Sequence, residues 1–294
     1  MKNALALVLI ILLVACSTPT PITTAPSEET LRGVALSPKS FSATDFPRFF
    51  DIIEPLDIVT GGDDAENIMT PNTAGIAVMG LSKQFKFIPV ILVGVGADTS
   101  TDEILAFVNT YHPPYLGIGN EINFEKKGDI IANVNRINAQ VKLANPATQT
   151  FTVYQYETLL GRHDGVWGGK KTEPDWTLLD NVQTDFIAFT TYPGLIYQNP
   201  EDIPDNYYSQ ISKHTSKNIA FTETGWFRDG PVGWDSSVEE QGRYAARFLE
   251  LTEPLHPVFL IWSYLYDQLI PEPFATMGLL KDTETSPAFN VWMS

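Results

Sequence analysis

Two glutamates are placed to work as a pair. Glu121 lies in the run Gly117-Ile118-Gly119-Asn120-Glu121-Ile122-Asn123, and Glu223 in Phe221-Thr222-Glu223-Thr224-Gly225-Trp226. Each run begins apolar and turns polar, so each glutamate is expected where a strand gives way to a loop. Two carboxyl groups converging on one ligand suit cleavage of a glycosidic bond. One must carry a proton for the leaving oxygen; the other must be ionised, to attack the anomeric carbon or to activate water. A separation of about 5–5.5 Å gives a covalent intermediate and retention, whereas about 6.5–9.5 Å admits water and gives inversion. Burial and mutual repulsion hold the two pKa values apart. Glu157 ends another apolar run and is expected as a third acid, in contact with substrate. Trp167, in Gly165-Val166-Trp167-Gly168-Gly169, is expected in a loop, where an exposed ring can stack on the C–H face of a sugar.

These residues need a frame. Eight apolar, β-rich runs are Gly33-Ser37, Asp57-Thr60, Phe87-Val95, Tyr115-Asn123, Phe151-Glu157, Asp185-Tyr192, Asn218-Thr224 and Val258-Tyr266. Most are continuous rather than alternating, as parallel strands covered on both faces require. They recur roughly every 32 residues, enough for a strand, a helix and two loops. Helical signals fall between them. Ser100 and Glu103 form a capping box, Asp129 to Leu143 has helical spacing, and Val238 to Leu251 follows a second box at Ser236 and Glu239. The pattern predicts an α/β fold, a single (β/α)8 TIM barrel over 31–294. Active sites of such barrels lie at the C-terminal ends of the strands. Runs four and seven face each other across an eight-stranded mouth, so Glu121 and Glu223 can converge.

Other chemistries are disfavoured. The four histidines show no metal spacing, and Gly117-Ile118-Gly119 lacks the third glycine and the helix of a dinucleotide loop. A formal charge of -16 repels phosphate backbones, so nucleic acid is not expected as a partner and neutral substrates suit the chain better. Asp63, Asp64 and Glu66 read as a solvated acidic loop, with Ca²⁺ or sugar binding as the alternative. No cofactor or metal is expected.

The N-terminus reads as an address. A basic start, then the apolar run Ala4 to Ala15, is too short to span a bilayer and describes an export signal. Leu13-Val14-Ala15-Cys16 resembles the lipobox of bacterial lipoproteins, which implies lipid on Cys16, the one cysteine of the chain. The reading is a signal peptide over 1–15, a Ser/Thr/Pro-rich tether over 16–30, and a monomeric enzyme held outside the cytoplasm on a membrane.

Asn120-Glu121 and Glu223 at these strand ends resemble the large retaining glycoside hydrolase clan of (β/α)8 barrels. It includes cellulase-like, endo-β-1,3-glucanase and endo-β-1,4-galactanase families. The resemblance implies Glu121 as acid/base, Glu223 as nucleophile and Asn120 as the ligand of the sugar 2-hydroxyl. It further implies Tyr192, in Thr190-Thr191-Tyr192-Pro193, as a donor to the nucleophile. Trp262, in Ile261-Trp262-Ser263-Tyr264, would floor the sugar site, and Trp226, which follows the nucleophile in a segment similar to the β-1,3-glucanase type, is expected as a further substrate-binding residue. Where many members carry an arginine near strand two, this chain has Asp63-Asp64-Ala65-Glu66-Asn67. The same residues would serve a transglycosylase. A non-catalytic carbohydrate-binding lipoprotein on the same scaffold is the competing class.

Overall fold

The computed structural model describes residues 29–40, 42, 44–61, 73–95, 100–124 and 129–294. Cys16, the signal and tether segments up to residue 28, and Asp63, Asp64 and Glu66 lie outside the described residues. Eight parallel strands close into a barrel in sequence order: β1 (Leu31–Ala35), β2 (Ile58–Gly61), β3 (Ile88–Val93), β4 (Tyr115–Ile118), β5 (Gln149–Gln155), β6 (Phe186–Thr191), β7 (Ile219–Thr224) and β8 (Phe259–Trp262). The ring closes where Leu31 to Val34 pair with Phe259 to Trp262.

Helices cover the outside: α1 (Asp45–Ile52), α2 (Thr73–Phe85), α3 (Thr101–Tyr111), α4 (Ile130–Ala144), the single turn α5 (Tyr156–Leu159), α6 (Val238–Thr252) and α7 (Pro287–Met293). Ser100 caps α3 by accepting from the Glu103 amide, as its sequence predicts. The cap of α6 is one residue later than expected. Ser237 Oγ accepts from the Glu240 amide, while Ser236 Oγ is taken up by Trp226 Nε1 and the Phe227 carbonyl. Between β6 and β7 the crossover has no α-helix. It runs through the 3-10 turns Pro193–Leu195, Pro200–Asp202 and Ser209–Lys213.

Side chains alternate across each strand. Phe151, Phe186, Tyr115 and Phe259 point inward and plug the barrel, with ring centroids 4.9 to 6.2 Å apart. Gly117 belongs to this plug, because a Cβ there would stand 2.4 Å from Leu92 and 2.7 Å from Phe151. The outward residues join the helices in a larger core that includes Leu116, Phe189, Phe221, Leu260 and Trp262.

Candidate active site

Strand parity and one irregularity place the acids. In β6 the inward residues Phe186 and Ala188 are followed by Thr190 and Tyr192. In β7 the ladder pairs Phe189 with Phe221 but then Thr190 with Glu223, so β7 carries one extra residue, Thr222. Such a bulge re-aims the side chain that follows it. Phe221 packs outward, and without the bulge Glu223 would share its face. With it, Glu223 turns into the mouth, and Thr224 turns out to Tyr244 of α6.

Glu121 arrives differently. β4 ends at Ile118, three residues earlier than the glutamate and earlier than the sequence run suggests. Gly119 turns the chain at φ 83°, and Glu121 sits at φ 46°, in the left-handed region. A non-glycine residue there is strained by roughly 1–3 kcal/mol, and such strain concentrates at functional sites. The turn is pinned by hydrogen bonds from Ile122 N to the Val153 carbonyl (3.0 Å) and by a two-way pairing of Asn123 with the Gln155 backbone (2.8 and 2.9 Å).

Three consecutive residues of β6 and its end then join the carboxylates. Thr190 Oγ1 donates to Glu121 Oε1 at 2.6 Å. Thr191 Oγ1 donates to Glu157 Oε1 at 2.7 Å. Tyr192 OH donates to Glu223 Oε2 at 2.6 Å and lies 3.0 Å from Ser263 Oγ. Glu121 and Glu223 keep partial exposure at the mouth, whereas Thr190 and Thr191 are fully buried and Tyr192 nearly so.

Burial drives the electrostatics. It raises the Glu223 carboxyl, with help from the Glu121 charge and against the Tyr192 hydrogen bond, to about 7. Burial also raises Glu121; the Thr190 hydrogen bond opposes this and the Glu157 charge adds to it. Two interacting carboxyls titrate as a pair, so the pair keeps one proton towards neutral pH. The phenol of Tyr192 favours the anion at Glu223, and the second acid at Glu157 favours the proton at Glu121. The site thus offers one proton donor and one oriented carboxylate.

The sequence-predicted residues divide. Glu121, Glu223 and Tyr192 meet at the mouth; Asn120, the residue before Glu121, is half-buried, and its Oδ1 is enclosed with no hydrogen-bond partner among the described residues. Trp167 is 44 % exposed, on the loop after α5. Trp226 and Trp262 are corrected: both are wholly buried and offer no face to a sugar. Trp226 Nε1 bonds Ser236, and its ring packs on Phe227 and Tyr244. Trp262 points outward, donates to the Met277 carbonyl at 2.9 Å and packs on Trp292. The inward position at the end of β8 belongs to Ser263. Glu157 is also corrected, being 1 % exposed and out of reach of substrate.

Sequence reasoning missed Thr190, Ser263 and Phe124. Inward alternation through Phe186-Ala188-Thr190 and Phe259-Ile261-Ser263 is the signal for the first two. Phe124 follows Glu121 by three residues, is 52 % exposed, and its ring lies 6.1 Å from that of Trp167. Among the described residues no group of three His, Cys, Asp or Glu side chains could hold a metal ion.

No family model matches this sequence, and no curated protein does. Solved structures do. An active-site mutant of a Rhizomucor miehei β-1,3-glucanosyltransferase, in complex with laminaritriose, is 16% identical at TM-score 0.65, over 90% of this chain and 97% of that one. A subgroup II endo-β-1,3-glucanase of glycoside hydrolase family 128 from Sorangium cellulosum is 16% identical at TM-score 0.61, over 90% and 98%. Bacteroides uniformis β-glucuronidase 2 is 14% identical at TM-score 0.63, over 91% of this chain and 35% of that one. At these identities the likeness is one of fold: the chain shares the (β/α)8 barrel of glycoside hydrolases.

Proposed function

We propose that the chain is a retaining glycoside hydrolase acting on a neutral β-glucan, with β-1,3 linkages the first to test. The observation that carries this reading is the pair Glu121 and Glu223, oriented from one strand end by Thr190 and Tyr192. Glu223 attacks the anomeric carbon while Glu121 gives its proton to the departing oxygen, leaving a glycosyl ester on Glu223. Glu121 then takes a proton from water as the water oxygen bonds the anomeric carbon and Glu223 departs. Asn120, half-buried and next to Glu121, is the group for the neighbouring sugar hydroxyl. The β-1,3-glucan preference draws on the two neighbours that match this chain over nearly their whole length. The negative charge of the chain disfavours acidic glycans.

The exposed Phe124–Trp167 pair beside Glu121 favours a second outcome from the same intermediate. A sugar stacked there can replace water and give transglycosylation. The reading also keeps the lipid anchor at Cys16, which Cys16→Ser would abolish, releasing the protein from membranes. The test of the function is incubation with linear β-1,3-glucan, β-1,4-glucan, galactan, mannan and xylan, with product anomers followed by NMR. Release of β-anomers from the glucan is expected. α-Anomers appearing first would overturn retention, and no cleavage of any glycan would favour a binding protein.

A further inference from the structure

One acid is not used by this chemistry, yet it is the best-coordinated group near it. Glu157, in α5, accepts four hydrogen bonds: Gln155 Nε2 (2.6 Å) and Tyr192 N (3.1 Å) at Oε2, Thr191 Oγ1 (2.7 Å) and Tyr207 OH (2.9 Å) at Oε1. No ion pair reaches it among the described residues. Two of the four partners are N–H donors and two are hydroxyls; burial raises the Glu157 carboxyl, and the hydrogen bonds from Thr191, the Tyr192 amide and Tyr207 oppose this. We propose that Glu157 is a positioning residue that clamps the end of β6 from its helix side, so that Thr190 is aimed at Glu121 and Tyr192 at Glu223.

The connections are short. Thr191 and the Tyr192 amide, which Glu157 holds, lie between and beside the two donors to the catalytic pair. Gln155, its third partner, is also the residue whose backbone pins Asn123 and hence the strained turn at Glu121. Glu157 therefore grips both segments that set the distance between the pair.

Its charge acts too. Glu121 faces Glu157 and Glu223, and Tyr192 lies against Glu223. Around Glu157 stand Tyr156 on its own turn, Tyr192 after β6, Tyr207 and Tyr208 from the β6–β7 crossover, and Tyr244 of α6. All these tyrosines are neutral at working pH, so it is the ionised form of Glu157 whose charge helps Glu121 keep its proton.

The inference rests on the function proposed above, and its test separates the two. Kinetics of Glu157→Gln and Tyr207→Phe on a linear β-1,3-glucan oligosaccharide are compared with wild type across pH. Glu157→Gln is expected to lower kcat roughly 10²-fold with KM nearly unchanged. Its alkaline limb is expected to move to lower pH by about half a unit to one unit. Tyr207→Phe, which leaves the carboxylate in place but removes one of its four partners, is expected to lower kcat by a smaller factor with KM unchanged and carries the test if Glu157→Gln does not fold. An unmoved limb and wild-type kcat in the folded variants would overturn the inference alone. Activity surviving in Glu121→Gln would instead overturn the function on which it rests.

Discussion

The inward face of the barrel has two halves made by the same strands. The lower half is an aromatic plug, in which Tyr115, Phe151, Phe186 and Phe259 touch across β4, β5, β6 and β8. The upper half, a few residues further along, holds Glu121, Thr190, Tyr192, Glu223 and Ser263. Below, every group is content in a dry interior. Above, two carboxyl groups that share one proton are pressed together and partly desolvated, and a backbone turn is held in a strained conformation. The stable half is rigid support; the other half stores the free energy that chemistry can use.

Variants in the two halves should therefore behave in opposite ways. The largest stability effect is expected from Phe186→Ala, which opens a cavity in the plug. It should cost roughly 3–5 kcal/mol in chemical denaturation, while the folded fraction keeps near-normal kcat. Equal loss of both would mean that the halves are not separable.

Glu223→Gln should do the reverse. Burial raises the folded Glu223 carboxyl from 4.5 to about 7, and because Glu121 and Glu223 titrate as a pair, the folded state holds one proton between them longer than the unfolded chain. Its stability contribution is full below about pH 4.5 and is lost as pH rises through about 7. Removing the charge should flatten that decline and make the variant more stable than wild type at pH 8, by on the order of 2 kcal/mol. Melting temperatures from pH 4 to 9 measure it; parallel curves for the two proteins would contradict it.

Tyr192→Phe sharpens the comparison within the upper half. It removes the donor to Glu223 and should cut kcat roughly 10–100-fold with little change in melting temperature. The smallest effect belongs to the rim. Trp167→Ala should raise KM roughly 2- to 10-fold and leave stability alone. A change in kcat without a change in KM would remove Trp167 from the sugar face.

What was legible in the sequence follows the same division. The eight strands and their order could be read because parallel strands buried on both faces write themselves as apolar runs. The meeting of Glu121 and Glu223 could be read from strand ends three units apart. Continuous runs carry no parity, however, so Trp262 could not be told from Ser263 as the inward residue of β8. The extra residue at Thr222 is silent in the sequence, yet it decides which way Glu223 faces. Glu157 looked like a site acid because it ends a strand run. Only its four donors, drawn from β5, the end of β6 and the following crossover, reveal it as support. Thr190 was visible as a residue but not as a contact, because its partner is 69 residues away.

The central claim is that Glu121 and Glu223 act together on one glycosidic bond. The direct measurement is release of reducing ends from a linear β-1,3-glucan by wild type, Glu121→Gln and Glu223→Gln, with circular dichroism to establish folding. Wild type should cleave. Glu121→Gln should lose roughly 10²–10⁴-fold, and Glu223→Gln about 10⁴-fold or more. Wild-type rates from either folded variant would contradict the account.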